Sequence, residues 1–148
     1  MRDSRANDAL QAIGLRVEGS PRVAGAAFTG NVLPLLHEVR HALERLLATG
    51  EETTIDLASL PLAPGEFDRI EAALGQGEVT ATLNALGPSE IRETRYSGVW
   101  LVTHRNATDE VMGRYIEIAR MPSVLLAQEP DMRKGLADLA LALEGRVD

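Results

Sequence analysis

The sequence predicts an α+β domain: a mixed, mostly antiparallel sheet of about five strands with helices mainly on one face. Three observations predict it. Apolar residues recur at helical spacing over 31–50 and again over 64–77. Strand-length runs, alternating or wholly apolar, then fill 78–119 between turn signals. Helical spacing returns after Pro130. At 148 residues the chain suffices for one ordinary domain and not for two.

Residues 1–29 stand apart. Arg2, Asp3, Arg5 and Asp8 alternate in sign, and Gly14, Gly19, Pro21 and Gly25 punctuate the remainder of this stretch. Leu10–Val17 is mildly apolar without a sustained stripe, so 1–29 reads as an N-terminal arm or tail ahead of an α+β domain over 30–148. An arm of this kind suits a contact with a neighbouring subunit. From Asn31 the signals sharpen. Asn31 is a good N-cap, and Pro34 falls in the first turn, where its missing N–H costs least. Val32, Leu36, Val39, Leu43 and Leu46 form the stripe, and Gly50 stops the helix.

Thr53–Leu57 reads as a short strand. Pro64 starts a second helix carrying Phe67, Ile70 and Leu74, ended by Gly75 and Gly77. Glu78–Ala85 alternates polar and apolar, the pattern of a strand with one dry face. Ser89–Tyr96, Val99–His104 and Val111–Ala119 follow as strands, separated by turns at Ser97-Gly98 and 106–109. Pro122 breaks the last of them. A final helix from Pro130 places Met132, Leu136, Leu139 and Leu143 on a stripe expected to be buried.

Composition narrows the function. With 15 basic and 22 acidic side chains the net charge is −7, against the basic excess of a nucleic-acid binder. Phe28, Phe67, Tyr96, Trp100 and Tyr115 are the only aromatics, too few for a base-stacking platform. With no cysteine, no thiolate can attack a substrate or hold zinc or an iron–sulfur cluster. No apolar run approaches the roughly 20 residues of a membrane helix, and the N-terminus lacks the apolar core of a signal peptide. A cytoplasmic protein without membrane contact is expected.

His37-Glu38-Val39-Arg40-His41 matches the zinc-protease pattern in which two histidines bind metal and the glutamate acts as general base. At 100° per residue both histidines fall about 160° from the centre of the apolar stripe, facing solvent rather than a cleft. No third ligand follows at short spacing. A zinc-dependent hydrolase using His37, Glu38 and His41 is therefore the minority alternative. His104 lies at a strand end without a Gly-x-Ser-x-Gly elbow to supply a nucleophile. Gly75-Gln76-Gly77 joins a helix to a strand, the reverse of a phosphate loop. No catalytic residue, metal ligand or cofactor is assigned. Binding features are better represented: 14 of the 15 basic residues are arginine, a residue enriched at interfaces. Trp100 shares a strand with Val99, Leu101 and Val102, so it either packs in a core or anchors a partner.

Asn31–Glu38, Gly75–Val79, Ser89–Thr94 followed by Gly98-Val99-Trp100, and Glu117-Ile118 followed by Pro122 together resemble the HupH/HyaF family of hydrogenase expression/formation proteins. The resemblance covers about residues 30–145. It implies a non-enzymatic accessory protein, a chaperone, in maturation of a nickel–iron uptake hydrogenase. The implied client is the iron–sulfur small subunit before export, with a thioredoxin-like companion chaperone alongside. Longer members look like two copies of this domain, so a homodimer would recreate their arrangement. A purely oligomeric assembly module is the further alternative. Glu38, Glu90, Arg92, Glu93 and Trp100, all within the shared motifs, are the candidate partner-binding residues. Alternation puts Glu90 and Arg92 on one face of their strand and Glu93 on the other.

Overall fold

The structure is a computed structural model and describes residues 30–145. The proposed arm over 1–29 lies outside the described residues. Helix α1 (Val32–Thr49) ends as its sequence dictates: Gly50 takes a left-handed conformation (φ 77°) and donates its N–H to Leu46 O at 2.9 Å. Its start differs from expectation. Asn31 occupies the N-cap position, but its side chain does not cap the helix; Nδ2 donates to Pro61 O at 2.9 Å, tying the start of α1 to a later loop. The buried face comprises Val32, Leu35, Val39, Ala42 and Leu46, with Leu36 and Leu43 at its margin. The face is turned from the predicted stripe toward Ala42, which is fully buried. A small side chain lets the helix approach the sheet closely, and a search for large apolar residues passes over it.

Strand β1 (Thr53–Asp56) leads through a 3₁₀ turn (Leu57–Ser59) to α2 (Glu66–Leu74). Glu66 and Asp68 sit in the first turn of α2, where the helix dipole favours negative charge, and Glu66 Oε1 accepts from the Ala63 N–H at 3.0 Å. Four strands follow: β2 (Thr80–Asn84), β3 (Pro88–Glu93), β4 (Val99–Arg105) and β5 (Val111–Ile118). The sheet order is β1-β5-β4-β3-β2, and every neighbouring pair is antiparallel. The α+β class and the five strands agree with the sequence reading; the mixed component does not. β1 pairs with β5, and β2 closes the opposite edge, so the strand–helix–strand segment crosses the sheet without creating a parallel pair.

The turns shorten the predicted strands. β3 stops at Glu93 because Thr94 folds inward: its Oγ1 donates to Val99 O (2.9 Å) and accepts from Tyr96 N–H (3.2 Å). Between β2 and β3, Gly87 has φ 122°, and a Cβ there would lie 2.3 Å from Arg105 O; only glycine fits. Between β4 and β5, Asn106 Oδ1 accepts from the N–H groups of Thr108 and Glu110, and the register shifts at His104/Arg105.

Two cores result. Ile55, Val99, Leu101, Ile116 and Ile118 pack with α1 and with Ile70, Ala73 and Leu74 of α2. On the other face Ile91, Trp100 and Val102 cluster with Ala81, Leu83, Tyr115 and Leu125, the last from a 3₁₀ turn (Ser123–Leu125), and among the described residues no α-helix contributes to this cluster. This second face is nevertheless closed at its centre, where Ile91, Val102 and Trp100 are 0%, 2% and 6% exposed.

The last helix, α3 (Glu129–Glu144), corrects an expectation. None of its residues is buried, and Met132, Leu136, Leu139 and Leu143 are between 59% and 70% exposed. An amphipathic stripe specifies that one face seeks an apolar surface; it does not specify whose surface.

Ala42→Leu is expected to destabilise the domain by about 1–3 kcal/mol through overpacking, whereas Leu47→Ala on the exposed side of α1 stays within about 0.5 kcal/mol. Urea denaturation followed by circular dichroism compares the two.

Candidate partner-binding site

β3 carries three of the five candidate residues, and its register separates them. Arg92 lies opposite Leu101, and Glu90 opposite Thr103, on the face that bears α1 and α2. Glu93 lies opposite Trp100 on the other face. Arg92 Nη2 donates to Glu71 Oε1 at 2.7 Å, tying β3 to α2 across a shallow groove of about 400 Å³ that Asp68, Gly75 and Gln76 also line. Arg92 is thus committed within the chain, while Glu90 is exposed. Glu38 is exposed on α1, as are His37 and His41; His41 Nε2 accepts from Arg40 Nη2 at 3.1 Å. The structure does not bring Glu38 into contact with the β3 residues by any hydrogen bond or ion pair. Among the described residues no three His, Cys, Asp or Glu side chains are grouped to hold a metal ion.

Of the two places the sequence leaves open for Trp100, core or partner anchor, the structure shows the core. It is almost fully buried, and its indole Nε1 donates to Ala119 O at 3.0 Å, so its only polar group is spent inside the chain.

The structure joins segments that the sequence presents separately. Gly75–Gly77, at the end of α2, meets the end of β3: Gly77 N–H donates to Glu93 O (2.8 Å), and Arg95 N–H donates to Leu74 O (2.9 Å). A Cβ on Gly77 would lie 2.5 Å from Thr94 O, so glycine permits this approach. Thr94 N–H donates to Val99 O, and Ala119 N–H donates to Gly98 O. Four segments, 75–77, 93–95, 98–100 and 117–119, therefore converge at one end of the sheet. There the cross-strand row runs Glu93, Trp100, Glu117, placing a half-buried carboxylate on each side of the indole. Glu117 was missed as a candidate; the signal that finds it is register, which no single strand contains. Ionised carboxylates only accept hydrogen bonds, so this row is suited to a basic or amide group presented beside an apolar one.

A second pair was also missed. Ser89 Oγ and His104 Nδ1 lie 2.7 Å apart across β3 and β4, with the imidazole ring 5.6 Å from that of Tyr115. Among the described residues no carboxylate joins them, so the group that orients a catalytic histidine is not there. The pair acts as a cross-strand hydrogen bond between partly buried side chains.

Comparison with known proteins agrees with the motif pattern. Residues 29–145 match the model of the HupH hydrogenase expression protein, C-terminal conserved region. The chain is 30% identical over 123 residues to the hydrogenase expression/formation protein HupH of Rhizobium leguminosarum bv. viciae, covering 83% of this chain and 43% of that protein. It is 32% identical over 107 residues to the hydrogenase expression/formation protein HoxQ of Azotobacter vinelandii, covering 69% of this chain and 37% of that one. The chain thus spans less than half the length of these curated relatives. The solved structure of the hydrogenase expression protein HupH from Thiobacillus denitrificans ATCC 25259 superposes with a TM-score of 0.77 at 43% identity, over 80% of this chain and 99% of that one.

Trp100→Ala is expected to cost about 3–5 kcal/mol of stability, as for a buried aromatic. Trp100→Phe is expected to cost less, since it retains most of the volume and loses the bond to Ala119 O. Guanidinium unfolding curves read by far-UV circular dichroism rank the two.

Proposed function

Because the chain belongs to the HupH hydrogenase expression protein family through that C-terminal conserved region, we propose that it is a non-enzymatic accessory protein in the maturation of a nickel–iron uptake hydrogenase. Its client in this reading is the iron–sulfur small subunit, held in the cytoplasm before export, with a thioredoxin-like chaperone as companion. The observation that carries the reading is the convergence of four of the family-like segments at one end of the sheet, around the row Glu93, Trp100, Glu117.

A chaperone of this kind covers a client surface without chemistry and then releases it. Carboxylates beside a buried apolar row supply orientation and encounter rate more than raw affinity, which suits reversible capture. The net charge of −7 steers the same way, toward a client segment carrying basic groups. Among the described residues no helix is long and apolar enough to cross a membrane, in keeping with action on a client ahead of translocation. Longer members of the family look like two copies of this domain, and in this reading the working unit likewise contains two copies.

Capture of purified hydrogenase small subunit by the immobilised chain tests the proposal. Wild-type protein is expected to retain the subunit and to lose it progressively as salt rises. Glu93→Ala combined with Glu117→Ala is expected to weaken capture about tenfold, equivalent to roughly 1.4 kcal/mol, with little change in thermal stability. Failure of the wild type to bind removes the client assignment. Undiminished binding by the double variant removes these glutamates from the site.

A further inference from the structure

Helix α3 is the feature that neither the fold nor the proposed client surface uses. It has 16 residues and no buried side chain, and its large apolar residues are exposed. Met132, Leu136, Leu139 and Leu143 succeed one another at spacings of four, three and four, the d-a-d-a pattern of a coiled-coil seam. A helix of this length is marginal in water by itself, so the seam needs an apolar counterpart.

We infer that this counterpart is the same helix of a second copy of the chain, packed antiparallel about a two-fold axis midway between Ala137 and Asp138. The proposal deepens the two-copy reading above and rests on it. The seam is self-complementary in that arrangement. Met132 of one protomer meets Leu143 of its partner, and Leu136 meets Leu139, so every layer pairs an a position with a d position, the layering of antiparallel coils. The contact is isologous and closes on itself, as a two-fold dimer requires.

Charge selects the same direction. Glu144 closes α3, where the helix dipole disfavours a carboxylate and no basic residue occupies the last turn, while Asp138 is paired with Lys134 in its own helix. Antiparallel packing sets Arg133, which pairs with Glu129 in its own helix, opposite Ala142 of its partner and Asp131 opposite Glu144, so its electrostatic advantage is the opposed alignment of the two helix dipoles. Parallel packing would instead align Glu144 with Glu144 and place like ends of two helix dipoles together. The residues flanking the seam, Gly135, Ala140 and Ala142, are small and allow close approach. Burial of both seams removes on the order of 1,000 Å² from water, the lower bound for a specific interface, so the dimer is of moderate affinity and concentration-dependent.

With no cysteine in the chain, an introduced thiol is the only one present. Sedimentation equilibrium of the full chain is expected to show a dimer at tens of micromolar and a monomer for Leu136→Glu combined with Leu139→Glu. Far-UV circular dichroism and thermal melting check that this variant keeps its folded body. For orientation, Leu136→Cys protein mixed with Leu139→Cys protein is expected to form disulfide-linked dimers under mild oxidation far faster than either variant alone. Faster linkage within either variant alone overturns the antiparallel arrangement. A dimer that survives the double glutamate substitution overturns α3 as the interface and leaves the two-copy reading standing. A wild-type monomer overturns both the dimer and that reading.

Discussion

The structure depends on one strand being dry on both sides. Val99, Trp100, Leu101 and Val102 are consecutive and all buried. Side chains alternate across a sheet, so β4 must have apolar material above and below it. Val99 and Leu101 are covered by α1 and α2. Trp100 and Val102 are closed in by Ile91, Tyr115 and Leu125. This requirement places β4 at the centre of the order β1-β5-β4-β3-β2 and leaves the less apolar β1 and β2 at the edges. An edge position for β2 agrees with its exposed Thr80, Thr82 and Asn84.

The same strand organises the candidate site. Trp100 is fixed by the bond from its indole to Ala119 O, and antiparallel register then sets Glu93 on one side of it and Glu117 on the other. Glycines at 77 and 98 let the end of α2 and the β3–β4 turn close on this corner; Gly98 also sits against Leu43 of α1. A rigid apolar centre thus holds two carboxylates in place, so their geometry does not depend on a mobile loop. Arg92, on the other side of β3, serves the fold by pinning α2 through Glu71.

Helix α3 and the main body obey the same physics with different outcomes. In α1 the apolar stripe finds the sheet of its own chain. In α3 an equally regular stripe finds nothing within the described residues and remains in water. Burying such residues is favourable by about 1.5–3 kcal/mol each when complete, which makes an exposed seam of four an association surface.

Element order, the α+β class, the stop of α1 at Gly50, the doubly apolar character of β4 and the solvent-facing placement of His37 and His41 were all legible in the amino-acid order. Each is a local property, set by period, by capping chemistry or by the needs of one turn. Motif likeness also located the family. Strand pairing was not legible, because antiparallel partners such as Ile55 and Ile116 are chosen by where whole elements come to lie. Only the packed chain shows that Trp100 is core, that Arg92 answers Glu71, that Ser89 meets His104, and that Glu117 belongs beside Glu93. These contacts join residues far apart in the chain, and no single segment carries the register that creates them. The fate of the α3 stripe was hidden for the same reason: hydrophobic spacing states what a face needs, and only the packed structure shows whether its own chain supplies it.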